Sequence, residues 1–138
     1  MTIFLDANIL VAVLNKEYPL FSYAARILSL ANNKSFTVYT TPICLAIAFY
    51  FAEKKSGAAR AKEKIKLLAK NLAVATVDND AVVAALENKK INDFEDGLEY
   101  YAALNSNCQA IITEDQHHFY FSEIEVLGCK QFLEKYLL

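Results

Sequence analysis

A three-layer α/β/α sandwich around a central, mainly parallel sheet of four to five strands is the fold this sequence predicts. Three observations lead there. Short apolar runs alternate with helix-period segments, the strand runs themselves are apolar, and only three Gly and two Pro interrupt 138 residues. Strands alternating with helices imply parallel βαβ units with helices on both faces. Apolar strands suit a parallel sheet, because its strands are buried on both sides. The composition, 55% apolar and 22% charged, excludes disorder and linker-rich architectures. A chain of this length buries roughly two-thirds of its extended surface, so it needs no covalent staples. It reads as one domain over residues 1–138.

The elements follow in order. Thr2 to Leu5 is an apolar run ending at an acid, and Ala7 to Leu14 is apolar with helical character. Leu20, Ala24, Ile27, Leu28 and Ala31 recur at helical spacing until Asn32-Asn33-Lys34 stops them. Phe36 to Tyr39 reads as a second strand, and Pro42 suits the first turn of a helix running towards Lys55. Beyond Gly57, Ala61, Ile65, Leu68 and Leu72 form the apolar stripe of a basic helix. Ala73 to Val77 is a third strand, followed by a helix from about Asn79 to Asn88. A further helix carries Leu98, Tyr101 and Ala102 on one face. Ala110 to Thr113 is a fourth strand and Ile124 to Leu127 a short fifth. Gly128 then opens a helix ending at Leu138.

Charge is unevenly spread. The net charge is −2, which excludes a generic basic nucleic-acid coat. Between Lys54 and Lys70, however, lie seven of the fourteen basic residues and a single acid, Glu63. That segment is a candidate phosphate-binding face, with Lys54, Lys55, Arg60 and Lys62 as its leading contacts, or else a solvated helix face. The odd set Cys44, Cys108 and Cys129 reads as core thiols, without disulfide or structural-zinc spacing. The longest apolar run, Ile43 to Ala52, is too short to span a bilayer. The first residues lack a basic signal region, so a cytoplasmic protein is expected.

Ligands of open α/β sheets sit at the carboxyl ends of the strands. Asp6 directly follows the first strand, Asp115 lies just beyond the fourth, and Asp93 and Asp96 begin the helix between the third and fourth. A parallel sheet brings these acids to one rim, where they must take up protons or bind a cation. Oxygen donors without Cys or His at ligand spacing suit Mg²⁺ or Mn²⁺ rather than zinc.

The sequence resembles the PIN-domain family, nucleases common among the toxins of toxin–antitoxin pairs. The resemblance rests on Leu5-Asp6-Ala7-Asn8-Ile9-Leu10, Asp93-Phe94-Glu95-Asp96-Gly97-Leu98 and Ile111-Ile112-Thr113-Glu114-Asp115, in this order. It implies a metal-dependent ribonuclease centre at Asp6, Asp96 and Asp115, supported by Asn8 and Thr113. Many members add a Glu on the helix after the second strand. Thr41 to Tyr50 contains no acid here, and Ile47 occupies that place. Branches sharing the lack carry an extra acid in the central motif, the position of Asp93. The resemblance also implies an RNA substrate, an antitoxin partner and a homodimer, with the C-terminal helix and Phe49-Tyr50-Phe51 as candidate surfaces.

Each acid also has a purely structural role open to it. Asp6 and Asp93 suit helix N-caps, and Asp96 suits a first helical turn. Asp115 can be read as a loop acid. Glu95 is expected to turn into solvent, and Glu99, three residues beyond Asp96, to support the site from the same face. His117 and His118 are adjacent and read as a polar loop rather than as ligands. Two functions therefore follow: a Mg- or Mn-dependent endoribonuclease, or a weak or inactive nucleic-acid-binding module of the same fold. Phosphatases of the haloacid-dehalogenase type need an acid where Asn8 stands, and receiver domains need one beside Asp6, so both are disfavoured.

Overall fold

The computed structural model describes residues 1–137. Strands β1 (Thr2–Leu5), β2 (Thr37–Thr40), β3 (Ala73–Val74), β4 (Ala110–Ile112) and β5 (Glu125–Leu127) form one sheet in the order β3-β2-β1-β4-β5. Every pairing is parallel, including Ile3 beside Val38 and Phe4 beside Ile111. The helices are α1 (Ala7–Leu14), α2 (Leu20–Ser29), α3 (Pro42–Ser56), α4 (Ala58–Asn71), α5 (Asn79–Glu87), α6 (Phe94–Asn105) and α7 (Cys129–Tyr136). Right-handed crossovers outward from β1 to β3 lay α1 to α4 on one face. The return from β3 to β4 lays α5 and α6 on the other.

The expected third strand shrinks to its first two residues. β3 is an edge strand, and after Ala75 donates its N–H to the Thr40 carbonyl at 2.8 Å the chain leaves the sheet. It then turns into α5, where the Asp78 carboxylate caps the helix by accepting from the Ala81 N–H. His117 and His118 belong to a short 3₁₀ turn, Gln116–Phe119, rather than to an open loop.

Phe4, Leu5, Ile9, Ile111 and Phe132 are fully buried at the sheet centre and beneath the helices. Burying one such side chain contributes about 1.5–3 kcal/mol. α7 packs on α2 with Phe132 and Leu133 turned inward. The apolar face of the C-terminal helix, expected to offer a dimer surface, is therefore used within this chain. Tyr50 and Phe51 are exposed and Phe49 is half-buried. The expected end of α7 at Leu138 lies outside the described residues. No helix among the described residues is long and apolar enough to cross a membrane.

Candidate metal centre

The strand order reverses at β1, which leads outward to β2 and β3 and is rejoined on its other side by β4. A crevice opens at the carboxyl ends of strands where such a reversal occurs. Here it is a cavity of about 460 Å³ lined by Asp6, Glu17, Asp93, Glu95, Asp96, Glu99 and Asp115, with Asn8, His118, Ile47 and Phe51 among its other walls. Seven carboxyl groups meet there, and among the described residues no Lys or Arg lines the cavity.

The end of β1 and the start of α1 fix Asp6. Its Oδ1 accepts from the Ala7 N–H at 2.7 Å, and its Oδ2 accepts from the Thr113 hydroxyl at 2.8 Å. Only 8% of Asp6 is exposed. Asn8 spans the two motifs. Its Nδ2 donates to Thr113 Oγ1 at 3.0 Å and Asp115 Oδ2 at 3.2 Å, and its Oδ1 accepts from the Glu114 N–H. The Thr113 hydroxyl also receives the Asp115 N–H at 3.0 Å. Neighbouring Glu114 turns elsewhere, accepting from the Cys129 N–H at the start of α7.

The third wall is α6. Asp93 caps it, accepting from the Asp96 N–H at 3.0 Å, while also lining the cavity. Asp96 is half-buried in the first turn. One turn later Glu99 is 1% exposed and accepts from the Cys44 thiol of α3 at 3.1 Å. Ligand atoms of Asp6, Cys44 and Glu99 lie within 4.8 Å of one another.

Residues 2–117 match the PIN domain family. The chain belongs to the PIN-domain family. Among its relatives is Ribonuclease VapC1 of Aquifex aeolicus, 23% identical over 97% of this chain and 94% of the relative. Similar solved structures include VapBC2 of Rickettsia felis, bound to a promoter DNA fragment, with a TM-score of 0.70 and 21% identity, covering 93% of this chain and 98% of that one. VapBC-1 of nontypeable Haemophilus influenzae also scores 0.70, at 16% identity, covering 94% and 99% of the two chains. VapC20 of Mycobacterium tuberculosis, described as a sarcin-ricin loop cleaving toxin, scores 0.62 at 18% identity, covering 79% and 86%.

The electrostatics of this PIN domain follow from its crowded acids. Burial raises the Asp96 carboxyl to about 6, helped by Asp93, Asp6 and Glu95 and opposed by His118. Burial, then the Asp6 carboxylate, holds Glu99 well above the usual carboxylate range. Burial pushes the Cys44 thiol up as well, with Glu99 and Asp6 adding to it, so Cys44 keeps its proton and donates it. A protonated thiol offers little to a soft ion. The remaining donors are carboxylate oxygens around an uncompensated negative cavity, and they fit a hard divalent cation.

The structure thus brings Asp6, Asn8, Asp93, Asp96, Glu99, Thr113 and Asp115 together. It does not bring the basic residues into the cavity. Lys54 stacks 4.4 Å from the centre of the Tyr50 ring, Lys55 donates to the Asn15 carbonyl, and Arg60 and Lys62 project from α4. Glu95 is exposed, as expected, yet it also lines the rim, where partial desolvation, then Asp93, raises its carboxyl. The sequence reading missed His118 as a wall of the site and Cys44 as a partner of Glu99. His118 follows Asp115 by one 3₁₀ turn, a spacing that could have pointed to it.

Proposed function

We propose that this chain is a single PIN-like domain over residues 1–138 acting as a metal-dependent endoribonuclease, the toxin of a toxin–antitoxin pair. One observation carries the reading: Asp6, Asp96 and Asp115, distant in sequence, line one cavity with no Lys or Arg. Asp6, Asp96 and Asp115 would hold Mg²⁺ or Mn²⁺, which supplies Lewis-acid polarisation of a phosphodiester and lowers the pKa of an attacking water. Asn8 and Thr113 hold Asp6 and Asp115 in register through their shared hydrogen bonds. Glu95 and Asp93 at the rim keep the unliganded site negative, so an RNA phosphate is repelled until a cation is bound.

Outside the cavity, the exposed Lys54, Arg60 and Lys62 extend from the end of α3 into α4 and offer phosphate contacts along the substrate. Lys55 joins them less readily, because its ammonium is engaged by Asn15. The likeness to the VapBC structures supports an antitoxin protein as partner; a cytoplasmic setting and a homodimer are part of the same proposal.

Single-turnover cleavage of labelled RNA by excess protein, with Mn²⁺ or with chelator, tests the activity. Cleavage that needs the metal and vanishes in a cooperatively folded Asp6→Asn variant is the expected result. Equal cleavage by wild type and Asp6→Asn rejects the mechanism. Ile47 at the place of the family's helix Glu favours a second reading, a binding module without catalysis. RNA retention without cleavage at any Mg²⁺ or Mn²⁺ concentration supports that one.

A further inference from the structure

The family's missing helix acid leaves a question that the cavity answers. Ile47 on α3 lines it, and so does Glu99 on the facing helix α6. Cys44 lies one turn before Ile47, so the two share a face of α3. It is the Cys44 thiol that touches the Glu99 carboxylate, at 3.1 Å. The Glu99 carboxylate therefore comes to the face of α3 from which a Glu at position 47 would project. We propose that Glu99 is the fourth carboxylate of the metal centre, supplied by α6 in place of the absent acid on α3.

Three features separate Glu99 from the alternative, Asp93. Asp93 is exposed and spends Oδ1 on capping the Asp96 N–H. Glu99 is 1% exposed, and among the described residues its carboxyl meets the Cys44 thiol and the Asp6 carboxyl, with no Lys or Arg beside them. Two buried carboxyl groups in contact are costly as anions unless a shared proton or a cation lies between them. Its carboxylate oxygen and that of Asp6 lie within 4.8 Å, a spacing one cation can bridge. Glu99 follows Asp96 by three residues, so both acids project from one face of α6 towards Asp6. A packing role alone would be filled equally well by Leu or Gln at that position.

The inference rests on the metal-centre reading, and the experiment distinguishes failure of the two. Mn²⁺ is titrated calorimetrically into metal-stripped wild type, Asp6→Asn, Glu99→Gln and the double variant Glu99→Gln/Ile47→Glu, each checked for cooperative melting. Glu99→Gln keeps shape and hydrogen-bonding capacity but loses the charge, and its Mn²⁺ affinity is expected to fall by roughly tenfold to a hundredfold. Ile47→Glu should restore the double variant to within about threefold of wild type, because it returns a carboxylate to the same space. Glu99→Gln/Ile47→Gln, similar in size but uncharged, should stay weak and controls for packing.

Wild-type affinity in Glu99→Gln overturns the inference and leaves the centre to three acids. A loss that Ile47→Glu fails to repair in a folded double variant assigns Glu99 a packing role and overturns it too. A wild-type chain that binds no Mn²⁺ overturns the nuclease reading itself.

Discussion

Replacing Asp96 by Asn is expected to stabilise the metal-free protein. The carboxyl sits at about 6 in the folded chain against 3.8 ordinarily, with burial as the main cause. The native state therefore holds this proton longer than the unfolded state as pH rises. Stability falls between about pH 4 and pH 6, and the penalty is complete above that window. Two units correspond to about 3 kcal/mol. Asp96 is only half-buried, and solvent screening reduces this to roughly 1–2 kcal/mol. At pH 7.5 in chelator, Asp96→Asn should melt roughly 3–6 °C above wild type. At pH 5 about half of that gain should remain, since wild-type Asp96 is then mostly protonated when folded. With saturating Mn²⁺ the order should reverse, because the wild type gains ~2.7 kcal/mol at a hundredfold excess over Kd and the variant much less. Differential scanning calorimetry at both pH values, with and without Mn²⁺, measures every term. A variant that melts no higher than wild type at pH 7.5 in chelator refutes the argument that burial, helped by the neighbouring acids, makes the Asp96 charge costly.

Thr113→Val removes the hydroxyl donor to Asp6 Oδ2 at near-constant volume, and the buried acid loses a partner. A cost of about 1–3 kcal/mol in chemical denaturation is expected, with weaker Mn²⁺ binding in calorimetry. Asp93→Asn should keep the α6 cap and the Mn²⁺-induced rise in Tm, whereas Asp93→Ala should lose about 1 kcal/mol of stability. If Asp93→Asn abolishes the Mn²⁺ shift, Asp93 is a ligand as well as a cap. Gly97→Ala would bring a Cβ to 3.0 Å from both Ala85 Cβ and Ile91 Cγ2. Overpacking of about 1–3 kcal/mol outweighs a helix-propensity gain of about 1, so urea melts should show a net loss.

Much of the fold was legible because its central strands are simple. Thr2–Leu5 is an almost wholly apolar run ending at Asp6 and has the expected bounds, while Ala110–Ile112 stops one residue short of the expected Thr113, whose hydroxyl turns to Asp6. Thr37–Thr40 was displaced by one residue because Phe36 packs on Phe132 instead of entering the sheet. The third strand was overextended because Ala75 to Val77 has strand-like composition. Its early end depends on an edge position that no local pattern reports. Asp6, Asp96 and Asp115 were legible at the site because strand ends and helix starts are local features. Glu99 is less legible for a different reason. Its helix was read by its apolar stripe, and nothing local shows that α3 would present Cys44 instead of an acid to meet it.

The hydrogen bonds of Asn8 have a consequence for when the centre can exist. They join residue 8 to residues 113 and 115, so this part of the site closes over 105 and 107 positions of chain. No fragment ending before β4 contains both halves of it, however well its helices form. The slow, non-local pairing of β4 beside β1 is thus the step that brings the acids of the proposed centre together. During synthesis, with the N-terminal part made first, the chain passes most of its length as an inert α/β fragment. Its potential activity arrives late and all at once, with the last acid and the strand that carries it.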